Sequence, residues 1–404
     1  MRILHCIQTA DPACGGPIEG IKQFSRCFRE RGHTVEVATL DLPEDKWVAE
    51  FPLQLHALGK QRSVYGRTPE FVTWLKENRR RYDAVIVDGL WRFHGRAVWL
   101  ALRNTETPYF VFTHGMLDPW FKRNYPVKHL QKYFYWLWTE YRLLRDARAV
   151  FFTCEEERCL ARGTFRPYSC REQVINFGTA APTGDALHQK ELFLEKFPTL
   201  RGKRILLFLG RLHEKKGCDL LIEAFSNIVV KKGDHDLCLV IAGPNENNEY
   251  ADSLQKKAAS YELPANSIVW TGALAGDLKW GAFRASDAFV LPSHQENFGI
   301  AVVEALACGV PVLISDQVNI WREVEEEGAG LIEKDTIAGT TLLLERWLQL
   351  DQAKREVMRA SAKCCFEQRF EIEKAAESLI AALRSCGVKD SDATCTSELG
   401  LAAN

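Results

Sequence analysis

The chain has 404 residues, 46% of them hydrophobic and 26% charged, with a formal net charge of -1 at pH 7. That length predicts two or three domains with large cores, and the near-neutral balance excludes a global electrostatic footprint for nucleic acid, so any anion site must be local. The thirteen cysteines form no C-x-x-C pair and the longest aromatic cluster, Tyr133 to Trp138, is far too short to span a bilayer, which excludes a zinc ribbon, a disulfide framework and a transmembrane anchor.

Ile3 to Gln8 reads as a buried strand in an N-terminus without a signal-peptide pattern, so a cytoplasmic protein is expected. Cys14-Gly15-Gly16-Pro17 then reads as a tight loop opening a helix with Pro in its first turn. That helix carries Ile21, Phe24 and Phe28 and stops near Gly32; Thr34 to Leu40 is the next strand, so a doubly wound sheet is expected. Gly15 and Gly16 let backbone N–H groups approach a phosphate closely. A dinucleotide site is the alternative, because Asp41 ends the second strand where a ribose-binding acid would sit, but Gly15, Gly16 and Gly20 do not form G-x-G-x-x-G.

Ala84 to Asp88 and Tyr109 to Thr113 follow as strands, ending in Gly89-Leu90-Trp91-Arg92-Phe93-His94 and in His114-Gly115-Met116. Both endings put polar and aromatic groups at the carboxyl edge of the sheet, and His114 there is open to a structural as well as a catalytic reading. From Pro119 to Arg148 the chain is rich in aromatics and cations and predicts one long helix. Either it lies on an anionic membrane surface, or it packs on the sheet with a solvated basic edge; the packed reading is preferred, because aromatics occupy several of its faces. Ala149 to Thr153 and Gln173 to Ile175 complete a first domain, 1–180, and the polar stretch with Pro182, Gly184 and Pro198 predicts a linker, 181–203.

A second series of strands and helices, 204–370, begins at Arg204 to Leu209, with further strands at Leu237 to Ala242, Ser267 to Trp270, Ala288 to Leu291 and Val312 to Ser315. The turn from Gly210 to Gly217 can place Arg211 and Lys216 over one anion. At an effective dielectric near 20, each cation about 4 Å from a unit charge contributes roughly 4 kcal/mol of gross attraction, enough for two to replace a divalent metal on a diphosphate. Asp234-His235-Asp236 has the D-x-D form of a Mn²⁺ or Mg²⁺ site, but it precedes a strand and so falls at the amino edge, where a turn and no metal are expected. Gly272, Ala273 and Leu274, at a strand's end, offer backbone groups to a nucleobase.

Pro292 to Ser315 carries the densest signal. Glu296 and Glu304 bracket Asn297-Phe298-Gly299, and Ala301, Val302, Ala305 and Leu306 form a helix stripe. Eight residues apart, the two carboxylates cannot share one small atom, but they can hold two ends of an extended ligand; the bland alternative is a cap and a surface residue. A last helix is predicted over 371–386, and the polar tail 387–404 is expected to be disordered.

This E-x7-E stretch resembles the retaining group 1 glycosyltransferases, and Gly210-Arg211-Leu212-His213-Glu214-Lys215-Lys216-Gly217, Thr113-His114-Gly115-Met116 and Asn176-Phe177-Gly178 are similar to further motifs of that family. The resemblance implies an α/β GT-B architecture: two Rossmann-like doubly wound domains facing each other across a cleft, acceptor on the first and donor on the second, with the last helix crossing back. It implies Glu296 on the transferred sugar, Glu304 on the ribose, Arg211 and Lys216 on the diphosphate, His114 on the donor sugar, and Gly15 and Gly16 near the diphosphate. Gly272, Ala273, Leu274, Asn297, Phe298, Gly299 and Ile300 complete the implied donor site. The implied reaction moves a hexosyl group from a nucleoside diphosphate sugar to the hydroxyl of a saccharide or lipid-linked acceptor, with retention and without metal or other cofactor. Polysaccharide or lipid-linked saccharide synthesis is the implied setting, with weak contact at the inner face of a membrane. A nucleotide-sugar epimerase of the same architecture and a non-catalytic sugar-nucleotide binder are the competing expectations.

Overall fold

The apolar runs read as strands pair in parallel, in two separate sheets of the computed structural model, which describes residues 1–12, 15–60, 63, 65–233, 236–244 and 249–389. Two units result: Met1–Gly178 together with the chain from Ile372 onward, and Thr179–Glu371.

In the first unit β1 (Arg2–Ile7), β2 (Thr34–Thr39), β3 (Gln54–Ala57), β4 (Ala84–Asp88), β5 (Tyr109–Phe112), β6 (Ala149–Phe152) and β7 (Glu172–Val174) lie in the order β3-β2-β1-β4-β5-β6-β7. Strands covered on both faces need unbroken apolar runs, and β4, β5 and β6 are buried along their whole length. The edge strand β3 is only half-buried, so its sequence carries no such run. Ile3 of β1 stands opposite Val35 of β2 and Ala84 of β4, and from this central strand the order runs outward both ways. Between β1 and β4 the crossovers diverge, opening a crevice at the carboxyl ends.

The helix Gly16–Glu30 buries Ile21, Phe24 and Phe28. Against it packs Ile372–Ser385, which buries Ala375, Leu379, Ile380 and Leu383 and is tied by Arg31 to Glu373 at 2.6 Å and to Glu377 at 2.9 Å. The predicted disordered tail lies outside the described residues from 390 on; before it, Val388 is buried and donates its N–H to Leu383 at 3.1 Å.

The long helix expected over 119–148 is interrupted once: Pro126, which has no N–H to give, ends Trp120–Asn124 and starts a helix that continues from Pro126–Tyr135 through a π turn, Trp136–Glu140, into Tyr141–Asp146. Trp136 is fully buried, but Val127, Leu130, Phe134 and Trp138 are 60–71% exposed, so the aromatics segregate by face more than the sequence suggested.

In the second unit β8 (Arg204–Leu209), β9 (Leu237–Ala242), β10 (Ile268–Gly272), β11 (Ala288–Leu291), β12 (Val312–Ser315) and β13 (Gly330–Glu333) take the order β10-β9-β8-β11-β12-β13, reversing between β8 and β11. The stretch 181–203, expected to be a linker, belongs to this unit and forms the helix Ala186–Lys196. Asp185 caps it, accepting from the N–H groups of Leu187 and His188, so the neighbouring Gly and Pro frame the helix and do not interrupt it. Its Gln189 carbonyl lies where a Cβ on Gly281 would be, which brings the helix flush against Gly276–Ala285.

Candidate functional site

In the second unit, the loops after β8 and β11 flank the point where strand order reverses. Each ends in a left-handed glycine that opens a helix: Gly217 (φ 66°) before Cys218–Lys232, and Gly299 (φ 72°) before Ile300–Ala307. Neither helix start is capped by a side chain, so the first-turn N–H groups and the positive end of each dipole stay available to an anion. The loops are locked together. A Cβ on Gly217 would run into the Pro292 carbonyl oxygen, and His294 donates its N–H to the Lys215 carbonyl at 2.9 Å.

This packing brings together two residues eighty positions apart: Lys216 Nζ and the Glu296 carboxylate form an ion pair with both side chains mostly covered. Glu296 is held by its backbone, donating to Gln317 at 2.9 Å and accepting from Asn319 at 3.0 Å. Asn319 also donates through its side chain to Asn297 at 3.3 Å. Glu304, on the buried side of its helix, accepts from Lys279 Nζ at 2.7 Å; the ammonium lies 4.1 Å from the Trp280 ring centroid. Lys279 stands on the helix that follows β10, so the Glu304 pair ties the β11 helix to the β10 side of the sheet. Arg211 is exposed beside the buried Leu212.

The strand ends continue the surface outward. Gly210 donates to Ala242 and Gly243 donates to Gly272, both at 2.9 Å, so the ends of β8, β9 and β10 stay in step, with Gly272, the exposed Ala273 and the half-buried Leu274 at the end of β10. Of the Asp234-His235-Asp236 turn, Asp234 and His235 lie outside the described residues. Asp236 sits at the start of β9 and pairs with Lys203 Nζ at 3.1 Å. Among the described residues no three metal-ligating side chains cluster.

The first unit holds His114, Gly15 and Gly16. His114 has φ 47°, stacks on Phe112, and donates Nε2–H to Asp88 Oδ1 at 3.0 Å; His5 Nδ1 lies 2.8 Å from Asp88 Oδ2. Burial alone would raise the Asp88 carboxyl, but the facing His5 and His114 hold it down at about 2, so it is an anion gripping two imidazoles. Asp88 and His5 are site residues that the sequence did not single out; the one available signal was an acid ending a strand at the ligand-binding edge. His94, by contrast, is kept neutral by burial, which lowers it to about 4, and it donates to the Asp88 carbonyl at 3.2 Å. The loop around His114 is fixed from below by buried Glu157, which accepts from Thr113 Oγ1 and Gly115 N–H at 2.6 Å and from Thr153. Gly15 is the N-cap of Gly16–Glu30, with open space where a Cβ would be; Ala13 and Cys14 of that loop lie outside the described residues. Asp41, the candidate ribose acid of a dinucleotide site, accepts instead from the Thr9 hydroxyl and from Ala10 N–H at 2.7 Å, which commits it to bracing the β1 loop.

Comparison with known proteins bears on both units. Residues 15–175 match the Glycosyl transferase 4-like domain and residues 189–364 match Glycosyl transferases group 1. An uncharacterized glycosyltransferase of Methanocaldococcus jannaschii is 32% identical over 151 residues, 36% of this chain and 37% of that protein, so the match spans just over a third of that relative. Among solved structures, sucrose-phosphate synthase from Thermosynechococcus elongatus superposes with a TM-score of 0.74 at 19% identity, covering 95% of this chain and 99% of that one. Anabaena HepE in complex with UDP and glucose gives 0.74 at 16% identity, covering 95% and 100%. With glycosyltransferase domains matched in both halves and two parallel sheets shared with these structures, the chain belongs to the group 1 glycosyltransferases of GT-B fold.

Proposed function

We propose that the chain transfers a hexosyl group, with retention and without a metal ion, from a nucleoside diphosphate sugar to an acceptor hydroxyl in polysaccharide or lipid-linked saccharide synthesis. The observation that carries this is the Lys216–Glu296 pair set between two uncapped helix starts at the switch point of the second sheet. From β10 to β11 there are three interstrand steps of about 4.8 Å, roughly 14 Å in all, which suits a donor laid across the strand ends. Its base rests at 272–274, its ribose by Glu304, its diphosphate over Arg211, Lys216 and the helix starts, and its sugar at Glu296, Asn297 and Phe298. As the glycosidic bond breaks, negative charge grows on the phosphate, and fixed cations and N–H dipoles favour that state over the ground state. The leaving phosphate then serves as the base for the acceptor hydroxyl, a front-face course that needs no carboxylate nucleophile. In the first unit Asp88 holds His114 in one orientation.

Because HepE was solved with UDP and UDP-glucose, uridine donors are the first to test. UDP-glucose and the guanosine and adenosine analogues are incubated with and without saccharide acceptors, and the free nucleoside diphosphate and the product anomer are measured. Acceptor-dependent release with retained configuration, unchanged by EDTA, is expected. Epimerised donor without acceptor, or tight donor binding with no turnover, would replace this reading with an epimerase or a binding protein. The setting proposed is the cytoplasmic face of a membrane, touched peripherally; no helix among the described residues is long and apolar enough to cross one.

A further inference from the structure

The pairing registers bring three polar side chains together on the first sheet. His5 of β1 stands opposite Ile86 of β4 and Ile7 opposite Asp88, so His5 and Asp88 share a face as diagonal neighbours. Asp88 stands opposite Phe112 of β5, and His114, two residues on, takes the next diagonal place. His5 lies among apolar strand residues and is 2% exposed. A polar ring buried in this way needs a partner. Among the described residues its side chain has one: Nδ1 lies 2.8 Å from Asp88 Oδ2, while Nε2 is sealed from solvent with nothing to bond. Asp88 is therefore the single group that the His5 ring serves.

Asp88 is divided between two rings, with Oδ2 on His5 and Oδ1 on His114 Nε2 at 3.0 Å. An ionised carboxylate can only accept, so each ring must give it an N–H. Burial pushes the Asp88 carboxyl up, and the charge of His5 leads the pulls that bring it down to about 2, ahead of those of His114. The other titratable groups near it do not compete. Burial and Asp88 itself hold the Cys6 thiol protonated, and His94, kept neutral by burial and by nearby Arg92, gives its N–H to the Asp88 backbone carbonyl. With Nε2 committed as a donor, His114 is left with a lone pair on Nδ1. Its side chain is the most open of the three, 8% exposed against 3% for those of His5 and Asp88, and Nδ1 has no hydrogen-bond partner among the described residues.

We infer that His5 is a positioning residue: by holding the Asp88 carboxylate in place it fixes the tautomer of His114, which meets its ligand through Nδ1 as a hydrogen-bond acceptor. The group that fits such an atom is a hydroxyl, which has a hydrogen to give; an ionised phosphate or carboxylate oxygen has none. That the hydroxyl belongs to a sugar rests on the transfer reading above, whereas the tautomer and the part played by His5 do not.

The tautomer is read at pH 7 by long-range proton–nitrogen correlation on the full chain labelled with ¹⁵N-histidine, the His114 signal being identified by its loss in His114→Gln. His114 is expected as the Nε2–H form, and in Asp88→Asn, whose amide can itself donate, the Nδ1–H form should appear. An Nδ1–H form in the parent overturns the inference. Two replacements then test His5. Asn places an amide N–H where Nδ1 stands, and Phe fills the space and gives nothing. Without the pull of His5 the Asp88 carboxyl takes up its proton at higher pH, so between pH 5 and 8 the low-pH fall in kcat for acceptor-dependent UDP release should begin about one unit or more higher in His5→Phe. His5→Asn should follow the parent. Should His5→Phe unfold at the assay temperature, His5→Gln, whose longer arm carries the amide away from Oδ2, takes its place with the same shift expected. Coincident profiles in all three chains, or an equal shift in both variants, overturn the positioning role. If no donor yields UDP, the transfer reading falls by itself, and the pH at which the His114 signal moves replaces kcat in the same comparison.

Discussion

Glu296 and Lys216 form an ion pair, and each holds the other in the place that the proposed function gives to the donor's reacting end. Glu296→Gln is expected to lower kcat about 10²-fold or more with little change in donor affinity, the loss of one preorganised electrostatic partner. Lys216→Ala should match it, because phosphate charge grows only as the bond breaks. On the proposed function Glu304 meets the ribose, a part of the donor that does not change during reaction, so Glu304→Gln should raise donor KM about tenfold at nearly constant kcat, as for a hydrogen bond of ~1.5 kcal/mol. Lys279→Met, which removes the ammonium orienting Glu304, should shift KM in the same direction. Steady-state kinetics of the four variants decides this; kcat within twofold of the parent for Glu296→Gln would move the active site elsewhere. Glu140 gives a separate pH signature. Its folded pKa, about 8, lies above the ordinary 4.5, so the folded state holds an extra proton between those values. The stability this lends is complete below pH 4.5 and is lost as pH rises through about 8. The groups acting on it, Trp91 N–H and the Lys132 charge, only moderate that slope. Melting temperature from pH 6 to 9 should therefore fall more steeply in the parent than in Glu140→Gln; parallel curves would show that Glu140 is ionised in the fold.

Two glycines set the elements that carry these side chains. Gly217 turns the β8 loop into its helix at φ 66° and lies against the Pro292 carbonyl, so one position fixes both the helix start and the spacing of the two loops. Gly217→Ala is expected to cost about 1–3 kcal/mol for backbone conformation alone, with a further penalty for the clash. Because the loops separate, it should also weaken UDP binding beyond the stability loss, whereas Gly202→Ala, at φ 73° with nothing near its Cβ position, should carry the conformational cost only. Thermal melts with UDP titration of both variants separate the two effects. The chain from 119 to 148 makes the complementary point: Pro126 breaks what composition alone presents as one helix, and the break lets Lys132 and Tyr135 face a cavity while Phe134 faces outward.

At the scale of the molecule, the first unit is completed by a segment that follows the whole of the second. Ile372–Ser385 buries Leu379, Ile380 and Leu383, and at 1.5–3 kcal/mol for each fully buried side chain this contributes on the order of 5 kcal/mol or more, comparable to the net stability of a domain. The Arg31 pairs with Glu373 and Glu377 are partly exposed and add little. A chain ending at 371 should keep a cooperative transition for the second unit and lose that of the first; unchanged calorimetric melting would show the helix to be dispensable. By itself the sequence determined the central strands of both sheets and the loops that end them, because a strand buried on both faces must be a continuous apolar run and a helix must start where a glycine permits it. The half-buried β3 and β13 carry no such run and emerged only with their partners. Tertiary structure alone decided the pairings: Asp88 with His5 and His114, Lys216 with Glu296, Lys279 with Glu304, and Glu140 behind Trp91. Each joins residues 25 to 83 positions apart, on different strands, helices or loops, and the charge states of Asp88 and Glu140 depend on burial and on the groups facing them, properties of the packed molecule that no local pattern of residues records.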